Sequence, residues 1–97
     1  MPNSQNILTY PIEMLDALLE AGEGGRVVYP CVSHTDALTL RSRFYTLRKL
    51  IQRDPDALYD AVRVASQNVT FNIVGRTLTL ETKSAYMQRK LPTRSQS

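Results

Sequence analysis

The chain contains no tryptophan, one cysteine, one histidine and four glycines, and each scarcity removes a class of reading. Cys31 alone cannot close an internal disulfide, so stability has to come from packing, and the chain suits a reducing compartment such as the cytoplasm. Cys31 and His34 together fall short of the three or four protein ligands that tetrahedral zinc takes, so neither a metal nor another cofactor is expected. A strand end followed by a helix start gives no reason for thiol and imidazole to align as nucleophile and base, and no catalytic residue is expected. Gly22, Gly24 and Gly25 precede a strand-like run instead of following one, the wrong order for a phosphate-cradling loop, and read as a linker. No apolar run approaches the roughly 20 residues of a membrane span. The opening MPNSQN lacks the basic and apolar regions of a signal peptide, so no membrane association is expected. With 97 residues the chain has room for one modest core and none for a cleft between two large domains.

Charge is present but unevenly placed. Residues 1–33 set Glu13, Asp16, Glu20 and Glu23 against Arg26, for a net −3. Residues 34–53 set Arg41, Arg43, Arg48, Lys49 and Arg53 against Asp36, for +4, and residues 83–97 hold Lys83, Arg89, Lys90 and Arg94 with no acid. The overall +3 is thus a difference between unlike pieces.

The apolar pattern orders the elements. Pro11 opens a segment in which Ile12, Leu15, Leu18 and Leu19 recur at helical spacing until the glycines. The β-branched and aromatic run from Arg26 to Val32 predicts a short strand, which Pro30 confines to an edge or ends. Ser33 stands at an N-cap position with Asp36 three residues on. Ala37, Leu40, Phe44, Leu47 and Ile51 then form the core stripe of a long helix. Asp54-Pro55 predicts the end of that helix and the start of another, with Leu58, Ala61, Val62 and Ala65 as its apolar face. From Val69 the period becomes two, with Val69, Phe71 and Ile73 opposite Thr70 and Asn72. Val74-Gly75-Arg76 predicts a turn, and Leu78 and Leu80 alternate with Thr77, Thr79 and Thr82 on the return.

The expected fold is a small α+β domain over residues 1–82: about three helices on a short antiparallel sheet with a C-terminal β-hairpin. Residues 83–97 show no period and read as a basic, flexible tail on which Tyr86 and Met87 could still dock. Thr70, Asn72, Thr77, Thr79 and Thr82 are expected to form a polar, uncharged sheet face, and an edge of that sheet could pair with a second copy as a homodimer.

The candidate chemistry lies on the long helix. With Phe44 at zero and about 100° per residue, Arg48 and Arg41 fall at about +40° and +60° and Tyr45 at about +100°. One edge of the core stripe is therefore Arg-Tyr-Arg, while Arg43 lies near the other edge and Lys49 and Arg53 on the back. Arginines there can lay their stems along the core boundary and offer guanidinium groups to phosphates or stacked bases. The candidate nucleic-acid-binding set is Arg41, Arg43, Tyr45, Arg48, Lys49 and Arg53 with Lys83, Arg89 and Lys90 of the tail. The competing reading pairs Arg41 and Arg48 with acids of neighbouring elements and leaves the rest as solubilising charge. Asp54, Asp56 and Asp60 suit a helix N-terminus and need no catalytic role.

The run from Asp36 to Lys49, an R-x-R-aromatic-Tyr-x-x-R-K helix followed by the Val69–Leu80 hairpin, resembles small uncharacterised phage-encoded proteins. Among these are short nonstructural proteins of small single-stranded DNA phages thought to bind DNA. The resemblance covers residues 33–82 and implies a nucleic-acid context in the host cell cytoplasm, with Arg41, Arg43, Tyr45, Arg48 and Lys49 at the matching positions. The expectation is a non-enzymatic accessory protein that binds single- or double-stranded DNA weakly and electrostatically. The alternative is a protein-interaction or self-assembling structural module.

Overall fold

The computed structural model describes residues 7–90. The order is helix, strand, helix, helix, hairpin, helix: α1 (Ile12–Gly22), β1 (Val27–Pro30), α2 (His34–Arg53), α3 (Asp60–Ser66), β2 (Val69–Val74), β3 (Thr77–Thr82) and α4 (Lys83–Lys90). The fold is α+β, built on a three-stranded antiparallel sheet of order β1-β3-β2. Pro30 closes β1, which is an edge strand and needs no donor there. Gly75, at φ 62°, makes the hairpin turn that most other residues would resist.

Local signals set the helix boundaries. The Ser33 hydroxyl accepts from the Asp36 N–H at 3.1 Å and caps α2. At the other end Asp54 accepts from the Asp56 N–H at 2.9 Å, and Asp56 in turn accepts from the Leu58 N–H at 3.0 Å. These two aspartates turn the chain around Pro55 into a 3-10 turn (Ala57–Tyr59), so the cap expected at Asp54 falls on Asp56 instead.

Phe44, Leu47 and Ile51 of α2 are fully buried against Leu18 of α1 and Leu78 and Leu80 of β3, in one apolar cluster. The Phe44 ring lies 5.6 Å from Tyr29 and 5.7 Å from Phe71. Gly22 corrects the linker reading. It is the last residue of α1, and a Cβ there would lie 2.2 Å from the Ala65 carbonyl oxygen, so α1 and α3 meet backbone to backbone.

Three further expectations change. Lys83–Lys90, expected as flexible tail, form α4, while residues 91–97 lie outside the described residues. The Thr82 hydroxyl accepts from the Ala85 N–H at 3.1 Å and caps this helix, and the Lys83 N–H is held by the Asn68 carbonyl at 2.8 Å. Thr82 pairs with Val69 and so falls on the apolar side of the sheet; the position it was expected to fill belongs to Glu81, opposite Thr70. The polar sheet face therefore carries a charge. Finally, Leu58 is 75% exposed, and only Val62 and the half-buried Ala65 turn inward from the expected face of the third helix.

Candidate anion-binding groove

Helices α1, α2 and α3 cover the apolar face of the sheet, and α4 lies against the polar one. What holds α4 there is charge. Glu81, 1% exposed, accepts a forked pair of hydrogen bonds from Arg89, Nε to Oε1 at 3.2 Å and Nη2 to Oε2, with Arg26 Nε 4.0 Å from Oε1. The buried carboxylate holds Arg89 above the ordinary arginine pKa, chiefly through these hydrogen bonds.

Between α4 and the sheet runs a groove of about 510 Å³. Asn72, Thr77 and Thr79 contribute polar groups, Tyr86 an aromatic one, and Arg26, Arg41, Arg89 and Lys90 bring four cations to its lining. Arg41 forms no salt bridge with any described carboxylate. Glu81 neutralises one charge of the four, so the groove is an anion-attracting concavity.

The residues expected to bind nucleic acid thus separate. Arg41, Arg89 and Lys90 come together in the groove. Arg48 does not join them: its Nη1 donates to the carbonyls of Ser66 at 3.2 Å and Val69 at 2.6 Å, tying the end of α3 to the start of β2. Its guanidinium lies 4.6 Å over the Phe71 ring and 5.4 Å from that of Tyr45, and burial lowers its pKa. Tyr45 rests edge-on against Phe71 at 4.8 Å and stays 44% exposed, so the expected stacking platform is engaged on one side by the protein's own ring. Arg43 lies 5.7 Å over Tyr10. Lys49 and Arg53 are exposed on the far side of α2 and Lys83 at the start of α4, none in a salt bridge among the described residues. Among the described residues neither Arg41 nor Arg48 forms a salt bridge with the carboxylate partner that the competing reading assigned it.

Arg26 and Tyr86 were not among the expected site residues. Arg26 directly precedes β1, whose Val27 pairs with Leu80, and extending that register sets it beside Glu81. The alternation was visible, but its partner strand was not. Cys31 and His34 are engaged separately: the Cys31 thiol meets the Tyr29 carbonyl at 3.5 Å and His34 Nδ1 meets the Gly75 carbonyl at 2.5 Å. Comparison with protein-family models, curated proteins and solved structures finds no match to this chain.

Proposed function

We propose that this protein is a small non-enzymatic accessory protein of the phage type that binds nucleic acid electrostatically through the groove under α4. The observation that carries the reading is the convergence of Arg26, Arg41, Arg89 and Lys90 on one concavity whose lining, among the described residues, includes no carboxylate, with Glu81 buried behind Arg89. Phosphates entering it would displace counterions, and the polar groups of Asn72, Thr77 and Thr79 offer neutral hydrogen bonds to sugar and backbone oxygens. Tyr86 presents a ring on which one base can stack.

The test is binding of labelled single- and double-stranded oligonucleotides at about 50 and 200 mM salt, where several phosphate contacts cost orders of magnitude in affinity. A steep loss with salt supports the reading. Absence of binding at low salt removes it.

A second reading, a homodimer through the sheet, is favoured by β1 and β2 each keeping one unpaired edge. A monomer at every concentration in sedimentation equilibrium discards it.

A further inference from the structure

The face of the molecule away from α4 has the opposite character. Between α1 and the segment leading into α3 lies an apolar groove of about 260 Å³. Ile12, Leu15 and Leu19 of α1 form one wall, at the i, i+3, i+7 spacing of a helix ridge, and Leu58, Ala61 and Val62 contribute to the lining across from them. The Gly22–Ala65 contact fixes the two helices together at one end. Toward the other end the apolar side chains stand in solvent: Leu8 is 81% exposed, Ile12 65% and Leu58 75%. Scattered exposed aliphatic side chains are ordinary, but three beside one groove are not explained by the fold.

The charges around it are of one sign. Asp16 of α1 is the charged residue of the lining and Asp56 and Asp60 belong to the segment across from it, while Glu13 and Glu20 lie on the other side of α1, toward Tyr29. No Lys or Arg occurs in residues 7–22 or 54–62. Of the two cations that flank the second segment, Arg63 is spent on Asp60 and on the carbonyls of Ile51, Asp54 and Asp56, and Arg53 ends α2 on the side away from its core stripe.

We infer that this groove docks a basic amphipathic helix of a partner protein, whose apolar ridge enters between Ile12 and Leu58 and whose lysines or arginines meet the acidic rim. Helix-in-groove recognition uses apolar anchors at this spacing, and complementary charge orients the pair. The same charges argue against other occupants. An anionic membrane surface or a nucleic acid would be repelled. A second copy docked symmetrically would set acid against acid.

The probe is a fluorescein-labelled Leu/Lys peptide with leucines at helical spacing, titrated by anisotropy beside a Leu/Glu peptide of the same pattern and a scrambled Leu/Lys peptide. The Leu/Lys helix is expected to bind saturably and more tightly than either control. The double variant Ile12→Ser, Leu58→Ser should weaken it roughly tenfold, as loss of central apolar anchors does. Both side chains are exposed, so the fold should persist, which circular dichroism checks. Replacing the lining carboxylate (D16N) should weaken binding and flatten its salt dependence without touching the apolar walls, whereas E13Q, E20Q on the other side of α1 should change it less. Oligonucleotide binding at about 200 mM salt, where distant charges are screened, should be unchanged in these variants, which keeps this test separate from that of the basic groove. The inference is overturned by no saturable binding, by equal binding of the acidic or scrambled peptide, or by undiminished binding to the Ser variant. A dimer in sedimentation that the Ser variant abolishes would give the groove to a second copy and overturn it as well.

Discussion

Arg41 and Arg48 stand seven residues apart on the same edge of the same helix, and the fold puts them to different uses. Arg48 is half-buried, hydrogen-bonded to two backbone carbonyls and laid over Phe71. Arg41 has no ion-pair partner among the described residues and lines the groove under α4. Helical periodicity places both at the core boundary, but what each meets there depends on which element arrives from elsewhere in the chain. The end of α3 and the start of β2 bring Arg48 carbonyls that need donors, whereas Arg41 meets the polar margin of the sheet. One is part of the structure, and the other is available to a ligand.

The difference predicts opposite phenotypes, and the largest effect belongs to Arg48. R48A removes two charge-assisted hydrogen bonds and the guanidinium laid over Phe71, and should cost about 2–4 kcal/mol in urea denaturation. R48M, which keeps an apolar stem, should recover part of that, and folded R48A should still bind oligonucleotides like the parent. If R48A is as stable as the parent and loses binding, the two arginines have been assigned the wrong way round. R41E should behave inversely. Its stability should stay within about 0.5 kcal/mol of the parent, as for most surface changes. Its affinity for an oligonucleotide should fall roughly tenfold at low salt, with a salt dependence shallower by about one phosphate contact.

Arg89 shares both roles and gives the intermediate case. R89A leaves buried Glu81 facing only Arg26 at 4.0 Å, so it should lower the melting temperature and weaken oligonucleotide binding together. Adding E81Q removes the stranded charge. The double variant should melt above R89A alone and bind better than R89A, since three cations without the carboxylate restore the parent's net groove charge. Full recovery of binding would mean that the net charge of the groove, and not contact with the Arg89 guanidinium, sets the affinity.

How much of this was readable beforehand depends on sequence range. The α2 stripe, the Ser33 cap and the Val69–Leu80 hairpin are local patterns, and all are present in the fold. Helix α4 escaped because it buries no residue and is held by a cap from Thr82 and an ion pair to Glu81. Neither leaves a periodic trace. Gly22 escaped for a related reason: a glycine that lets two backbones touch looks, in sequence, like one that ends a helix. The candidate site was half legible. Its cations Arg41, Arg89 and Lys90 stood out as charge, but their convergence with Arg26 required the pairing of β1 with β3, a contact between residues about fifty apart.

Lys49 and Arg53 supply the smallest and most discriminating effect. They sit at about 140° and 180° from Phe44 on α2, on the far side from the core stripe, so they can influence a ligand in the groove only through the general field of the protein. That field is screened over about 10 Å at 0.1 M salt and over less at higher concentration. The double variant K49A, R53A should therefore weaken oligonucleotide binding measurably at about 50 mM salt and by less than about twofold at 200 mM, because screening removes a distant charge before it removes a contacting one. R41E should keep a deficit at both concentrations. Equal losses from the two variants at the higher salt would mean that the ligand lies along α2 itself, and that the groove under α4 is merely where its neighbouring cations happen to meet.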